Sequence, residues 1–170
     1  MDIQELIKKH RRAGILIDTN LLLLLFVGLL DRSFIGGKRL EKYTPEHFEA
    51  LCRIAENFST IITTPHILTE VSNLGAQTFT SSKKYQNEFF MMLQLIKLSE
   101  DGLALDERMV NRQSVDVSLL SRFGLTDGAI AGLSGKESLL VLSDDFALVG
   151  SIQKRGGHAI NFTHIWELIP

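Results

Sequence analysis

Two short apolar segments, near opposite ends of the sequence, each run directly into acidic residues. The first is GILIDTN at residues 14–20, and the second is LLVLSDD at residues 139–145. A buried strand is not expected to end on an ionised group unless that end opens onto a site. In open parallel sheets, the carboxyl ends of the strands line a crevice where ligands bind. The two segments therefore predict strands that bring acidic side chains to one shared crevice.

Apolar strands alternate with helical segments along the whole sequence. Thr-Pro pairs at residues 44–45 and 64–65 indicate two helix starts, with Thr as the cap and Pro in the first turn. This alternation predicts an α/β fold, a three-layer α/β/α sandwich around a mainly parallel sheet, in one domain of 170 residues. The expected strands are residues 15–17, 60–63, 103–105, 139–142 and 158–162. Further helices are expected in residues 1–13, 21–30, 81–98, 106–123 and 146–154, with another starting at residue 125.

Some connecting and packing residues are also predicted. Residues 1–13 are interpreted as an N-terminal extension, and residues 31–43, which contain two adjacent glycines, as a loop. Thr126 is expected to cap the helix that starts beside it. Phe89 and Phe90, on the long helix 81–98, are expected in the core.

The composition is that of an ordinary globular protein, with 45% apolar and 22% charged residues. The net charge of -2 does not suggest a nonspecific nucleic-acid binder, because such proteins are strongly basic. It is compatible with an enzyme that holds RNA through a few local Lys and Arg residues. Cys52 is the single cysteine, which excludes an internal disulfide and agrees with the expected cytoplasmic location.

Residues 21–30, LLLLLFVGLL, form a very apolar run that follows a basic stretch. This order resembles a signal peptide. However, Asp18 and Asn20 interrupt the apolar region, and no small-x-small cleavage site follows it. The run is also about half the length of a membrane span. A buried helix is therefore predicted, and no membrane partner is expected.

Four acidic residues occupy positions where a purely structural role is unfavourable. Asp18 and Asp145 follow apolar strands, Asp127 lies in the first turn of a helix, and Glu70 lies within an apolar helical stretch. A structural alternative stays open for each of the later three. Glu70 could face solvent, Asp127 could stabilise a helix dipole, and Asp145 or its neighbour Asp144 could cap the next helix.

Carboxylates that gather in one crevice repel each other, and a hard divalent cation such as Mg²⁺ or Mn²⁺ relieves that repulsion. Such a cation polarises a phosphoryl oxygen, and a bound water can become the nucleophile. Hydrolysis of phosphodiester bonds is therefore the reaction class that best suits a site built from carboxylates. His66 and Glu70 could also form a metal pair because they are four residues apart on a helix, but one histidine is a weak indication.

Four segments in order resemble the PIN-domain family. They are ILIDTN at residues 15–20, TPHILTEV at 64–71, LTDGAI at 125–130 and VLSDDFAL at 141–148. The family comprises metal-dependent nucleases, including the ribonuclease toxins of bacterial toxin–antitoxin pairs and RNA-processing enzymes. The resemblance implies an acidic quartet that binds Mg²⁺ or Mn²⁺ and catalyses RNA hydrolysis, consisting of Asp18, Glu70, Asp127 and Asp145.

The resemblance also implies roles for residues beside the quartet. Ser143 supplies the hydroxyl of the fourth motif, and Asp144 is a second choice as a metal ligand. Asn20 is expected to orient the first carboxylate or a bound water, and Thr19 is interpreted as a backbone cap.

The expected function is a divalent-metal-dependent endoribonuclease, with RNA as substrate and with an antitoxin protein or a second copy of the chain as further partners. The alternative is a PIN-like module that binds RNA or protein with little or no catalysis. A phosphatase with an aspartyl nucleophile is disfavoured because it would prefer Asp-x-Asp after the first strand. Asn20 occupies the position of that second Asp.

Overall fold

The computed structural model describes residues 2–95 and 104–166, which contain five strands and seven α-helices. The strands are β1 (Ile15–Ile17), β2 (Thr60–Thr63), β3 (Ala104–Glu107), β4 (Leu140–Ser143) and β5 (His158–Asn161). The helices are α1 (Ile3–His10), α2 (Thr19–Leu30), α3 (Pro45–Ala55), α4 (Pro65–Thr78), α5 (Lys83–Leu95), α6 (Val117–Glu137) and α7 (Phe146–Lys154).

The five described strands form one parallel sheet in the order β3-β2-β1-β4-β5. Leu16 of β1 lies between Ile62 of β2 and Val141 of β4. The right-handed crossover rule places α2 to α5 on one face and α6 and α7 on the other. In agreement, α2 packs against α3, α4 and α5, whereas α6 packs against α7. The predicted three-layer α/β/α sandwich is therefore confirmed.

The chain leaves β1 towards one edge of the sheet and leaves β4 towards the other edge. The order of the strands thus reverses between β1 and β4, which creates a crevice at their carboxyl ends. This is the position that the two acidic segments follow in the sequence.

Helix α2 is the centre of the larger helical layer. Each residue from Leu21 to Val27 is 0% exposed, which confirms the predicted buried helix. Gly28 completes the packing because the ring of Phe48 occupies the space that a Cβ atom at this position would need. Within residues 2–95 and 104–166, no helix is both long enough and apolar enough to span a membrane.

The N-terminal segment and the predicted loop are both integrated into the fold. Helix α1 buries Ile7 and His10, and His10 Nε2 lies 2.7 Å from Nδ1 of His158 at the start of β5. Residues 31–43 contain a short 3-10 turn, Arg32–Phe34, and end on the buried Tyr43. Both segments therefore help to position the structured core.

Three local predictions are wrong. The helix predicted at residues 106–123 begins only at Val117: residues 106 and 107 extend β3 and pair with residues 62 and 63 of β2, and Arg112–Ser114 forms a short 3-10 turn. Thr126 is not a helix cap: the backbone leaves helical geometry at Gly124, whose φ of 81° favours glycine, and the second part of α6 begins at residue 125 as predicted, with Thr126 and Asp127 in its first turn. Phe90 is 38% exposed, whereas Phe89 is fully buried as predicted. The predicted residues 96–98 of the long helix lie outside the described ranges.

Candidate functional site

Asp18 lies at the carboxyl end of β1, where the chain passes directly from a strand into a helix. It is the N-cap of α2, and its Oδ1 accepts a hydrogen bond from the Leu21 amide at 3.0 Å. Its Oδ2 accepts hydrogen bonds from the Asp144 amide, at 3.1 Å, and from the Ser143 hydroxyl. Asp18 is only 5% exposed. The carboxylate therefore stabilises the start of α2 and joins the ends of β1 and β4.

Ser143 is the last residue of β4 and is fully buried. Its hydroxyl donates to Asp18, and its Oγ accepts a hydrogen bond from the Asp145 amide at 3.0 Å. Asp145 then caps α7, because its Oδ1 accepts hydrogen bonds from the amides of Ala147 at 2.6 Å and Leu148 at 3.0 Å. Asp145 therefore caps the next helix, as the structural alternative for this residue predicts. One serine hydroxyl connects the first and last acidic residues.

Glu70 is exposed on α4, yet both of its carboxylate oxygens accept hydrogen bonds from neighbouring helices. Thr19 at the start of α2 donates to Oε2 at 3.0 Å, and Thr126 of α6 donates to Oε1 at 2.6 Å. Both threonines are only 8% exposed. The interpretation of Thr19 as a backbone cap is wrong, because Asp18 caps α2 and the Thr19 hydroxyl orients Glu70.

Asp127 lies within electrostatic reach of two other acidic residues. Its pKa is raised to about 6, first by burial and then by the negative charges of Asp145 and Glu70. No hydrogen bond from the described residues lowers it. At this end of the sheet Asp127 is thus near Asp145 and Glu70, and Asp18 is connected to them through Ser143 and through its chain neighbour Thr19. We call this group the acidic rim; it consists of Asp18, Glu70, Asp127 and Asp145.

Asp144 lies beside the acidic rim but has a different set of partners. Its carboxylate accepts a hydrogen bond from the Tyr43 hydroxyl and forms an ion pair with Lys42. Burial and then the charge of Asp144 raise the pKa of the Tyr43 phenol. The sequence does not indicate Lys42 and Tyr43 as partners of Asp144, because they lie in an irregular segment far from residue 144. Among the described residues, Asp144 has a cationic partner and Asp127 has none.

The pKa of Asp18 is raised to about 7, by burial first and then by the charge of Asp144. Hydrogen bonds from Ser143, Leu21 and the Asp144 amide act in the opposite direction and lower the pKa. Asn20 is exposed in the first turn of α2 and is not among these partners. Ser143, rather than Asn20, orients the Asp18 carboxylate.

The donor chemistry of the acidic rim fits a hard divalent cation. All four side chains offer carboxylate oxygens, and Asp127 faces two negative charges without a described hydrogen-bond donor. Among the described residues, no group of three or more His, Cys, Asp or Glu side chains is already arranged to hold a metal ion. Mg²⁺ usually keeps several waters and binds proteins through one or two carboxylates, so the rim is compatible with it.

Comparisons of the chain with protein-family models, with curated proteins and with solved structures found no match. The resemblance to PIN domains therefore depends on the four sequence segments. The geometry of the acidic rim is the independent physical argument for a function.

Proposed function

We propose that this protein is a divalent-metal-dependent endoribonuclease that hydrolyses RNA phosphodiester bonds at the acidic rim. One observation carries the proposal: acidic residues from four separate parts of the chain lie at the end of the sheet where the strand order reverses, and the charges of Asp145 and Glu70 reach Asp127 there. Gathering uncompensated negative charge costs folding free energy, and a bound cation would offset that cost. The resemblance to PIN domains selects RNA as the substrate class, with an antitoxin protein as a partner within this proposal.

The residues of the acidic rim have two different roles in this proposal, binding the cation and positioning the other groups. Asp127, Glu70 and Asp145 would hold Mg²⁺ or Mn²⁺, together with the remaining acceptor position of Asp18. When bound, the cation supplies positive charge that polarises a phosphoryl oxygen. Asp18 contributes mainly by position, because three of the roughly four acceptor positions of a carboxylate are occupied by described donors.

The threonine and serine hydroxyls keep the carboxylates in place before any ligand arrives. Thr19 and Thr126 donate to the two carboxylate oxygens of Glu70, and Ser143 donates to the Asp18 carboxylate while accepting from the backbone amide of Asp145. Hydrogen bonds to ionised acceptors are about twice as strong as neutral ones, so these contacts restrict the rotamers of Glu70 and Asp18. A site arranged in advance costs less reorganisation when a cation and a phosphate bind.

A second candidate function is RNA or protein binding with little or no catalysis. The absence of a ready-made group of three ligands among the described residues favours this candidate. The uncompensated charge around Asp127 favours the nuclease, because a binding module for RNA would gain nothing from four clustered carboxylates. The two candidates differ in whether metal addition produces cleavage.

The decisive experiment incubates purified protein with a labelled single-stranded RNA in chelator, Mg²⁺ or Mn²⁺. We expect cleavage only with metal, and we expect Asp127→Asn to reduce the rate by at least about tenfold, as loss of groups that support a metal typically does. The control is Asp106→Asn, which removes a half-exposed carboxylate of β3 that pairs with Arg108. Retention of RNA without cleavage would select the binding module, and cleavage by Asp127→Asn at the parent rate would contradict the proposed site.

A further inference from the structure

A basic groove lies at the end of the sheet opposite the acidic rim. It is a cavity of about 610 Å³ formed where α1 leads into β1 and where α3 leads into β2. Because these segments precede their strands, the groove is at the amino ends of the strands. We call it the basic groove; it is lined by Lys8, Lys9, Arg11, Arg12, Glu56, Asn57, Phe58 and Ser59.

The charge of the basic groove differs in sign from that of the whole chain. Four lining residues are cationic and one, Glu56, is acidic, although the chain carries a net charge of -2. All four cations are exposed, and none forms an ion pair with a described residue. Basic residues in the last turn of a helix interact favourably with the helix dipole, which accounts for Lys8 and Lys9 at the end of α1. Arg11 and Arg12 lie at or beyond the end of α1 and are less easily explained in that way.

The backbone around the two arginines is held in place by Ser59, which directly precedes β2. The Ser59 amide donates a hydrogen bond to the Arg11 carbonyl at 2.9 Å, and the Ser59 hydroxyl donates to the Arg12 carbonyl at 3.1 Å. These contacts use main-chain oxygens only. Neither guanidinium group has a hydrogen bond or an ion pair with the part of the chain that the structure describes, so both can bind a ligand while their backbone stays fixed.

We propose that the basic groove binds the phosphate backbone of single-stranded RNA, as a second contact surface of this protein. Guanidinium groups form paired hydrogen bonds with phosphate oxygens, and lysines add positive charge. A concave groove suits a flexible strand better than a flat bilayer. Its apolar lining residue, Phe58, is only 5% exposed and offers no side chain for insertion into lipid.

This inference rests on the proposed function for its choice of RNA, and it answers an electrostatic difficulty in that function. The acidic rim repels phosphates until a cation binds. Arg12 and Asp18 are separated by β1, so their Cα atoms are at most about 21 Å apart. RNA held in the basic groove would therefore remain close to the acidic rim. The part of the strand outside the groove could then reach the rim.

The test measures binding without cleavage, using fluorescence anisotropy of a labelled single-stranded RNA of about 20 nucleotides in chelator, from about 50 to 200 mM salt. We compare the parent with Arg11→Gln/Arg12→Gln, which leaves the Ser59 hydrogen bonds available. The matched control is Lys83→Gln/Lys84→Gln, which removes two exposed cations from α5. A thermal melt of each variant confirms that it is folded.

We expect the arginine variant to bind at least about fivefold more weakly at the lowest salt concentration. Two lost phosphate contacts should also reduce the slope of log K against log salt by about 1.4. The control should change the affinity by less than about twofold. Parent-like binding by the arginine variant, or an equal loss in the control, would overturn the inference.

Two competitors test the choice of ligand. Polyglutamate of similar charge, or vesicles of phosphatidylcholine and phosphatidylserine, should displace the RNA poorly. Displacement at equal charge concentration by either one would overturn the assignment to RNA.

The cleavage assay separates this inference from the proposed function. RNA binding through the groove without metal-dependent cleavage keeps the groove and rejects the nuclease. Metal-dependent cleavage together with unaltered RNA binding by the arginine variant keeps the nuclease and rejects the groove.

Discussion

At the scale of single residues, hydroxyl groups determine how the acidic side chains are arranged. Ser143 connects Asp18 to Asp145, and Thr19 and Thr126 hold Glu70. Near a helix start, Ser and Thr most often cap the helix, so the sequence alone favours that role. The hydroxyls of Thr19 and Thr126 find a different acceptor only because α4 brings Glu70 beside them.

Asp127 provides the residue-scale prediction. In the metal-free protein, Asp127→Asn should be as stable as the parent or more stable, because it removes a charge that faces Asp145 and Glu70. With Mn²⁺ the parent should gain stability, by about 2.7 kcal/mol at a hundredfold excess over Kd, since the cation binds only the folded state. The variant should gain much less.

The measurement is a thermal melt of both proteins, each in chelator and in Mn²⁺. Asp106→Asn again serves as the control and should respond to metal like the parent. If Asp127→Asn shifts the melting temperature equally with and without metal, Asp127 is a structural aspartate at a helix start and not part of a cation site.

At the scale of elements, α2 links the core to the acidic rim. Its residues from Leu21 to Val27 are fully buried, and its N-cap is Asp18. The packing that stabilises this helix therefore also fixes the position of the first carboxylate. The break in α6 has a comparable effect, because the backbone turn at Gly124 precedes Thr126 and Asp127 and determines where their side chains lie.

The burial of α2 leads to a prediction about stability. Leu24→Ala should lower the free energy of unfolding by about 2–5 kcal/mol, because it removes fully enclosed methyl groups and leaves a cavity. The control is Leu29→Ala on the same helix, where the side chain is 39% exposed and the loss should be less than about 1 kcal/mol. Urea unfolding measures both. Similar losses at the two positions would contradict the enclosed position of the helix.

At the scale of the whole molecule, charge is separated along the strand direction. The acidic rim lies at the carboxyl ends of the strands, and the basic groove lies at the amino ends. The histidine pair connects α1, which carries two lysines of the groove, to the far edge of the sheet at β5. Protonation of this pair is therefore expected to weaken the contact that joins α1 to β5.

The histidine pair leads to a prediction about pH. Burial, the partner imidazole and Lys9 lower the pKa of His10; burial and Lys9 lower the pKa of His158. The unfolded chain, with histidine pKa values near 6.5, then binds more protons than the folded protein below that pH. The contribution of the pair to stability should be complete above about pH 6.5 and should fall as the pH is lowered towards about 5.

Asp18 and Asp127 act in the opposite direction, because their folded pKa values are raised and their contribution falls as the pH rises between about 4 and 7. The comparison therefore uses the difference between the parent and His158→Asn, from urea unfolding in chelator at pH 7.5 and 5.5, so that the carboxylates cancel. The advantage of the parent should shrink at the lower pH. His164→Asn, at an exposed histidine, is the control. An advantage that does not change with pH would refute the role of the pair.

Short patterns in the sequence were enough to predict most of the local structure and to indicate the acidic residues. The positions of β1, β2 and α7, the Thr-Pro helix starts and the burial of α2 all follow from short apolar patterns and caps, which depend on neighbouring residues. The same patterns indicated the four carboxylates. The tertiary structure decided which strands are adjacent, and hence that Asp18 and Asp145 share one serine hydroxyl.

Tertiary structure also decided the contacts between distant parts of the chain. It placed Asp106 in β3 by pairing with β2, which overrode a weak helical pattern, and it gave Asp144 partners from residues 42 and 43. It brought Lys8, Lys9, Arg11 and Arg12 together with the segment before β2 to form a groove. Such contacts depend on how whole elements pack, and the free energy that selects them is shared among many residues instead of residing in any short stretch.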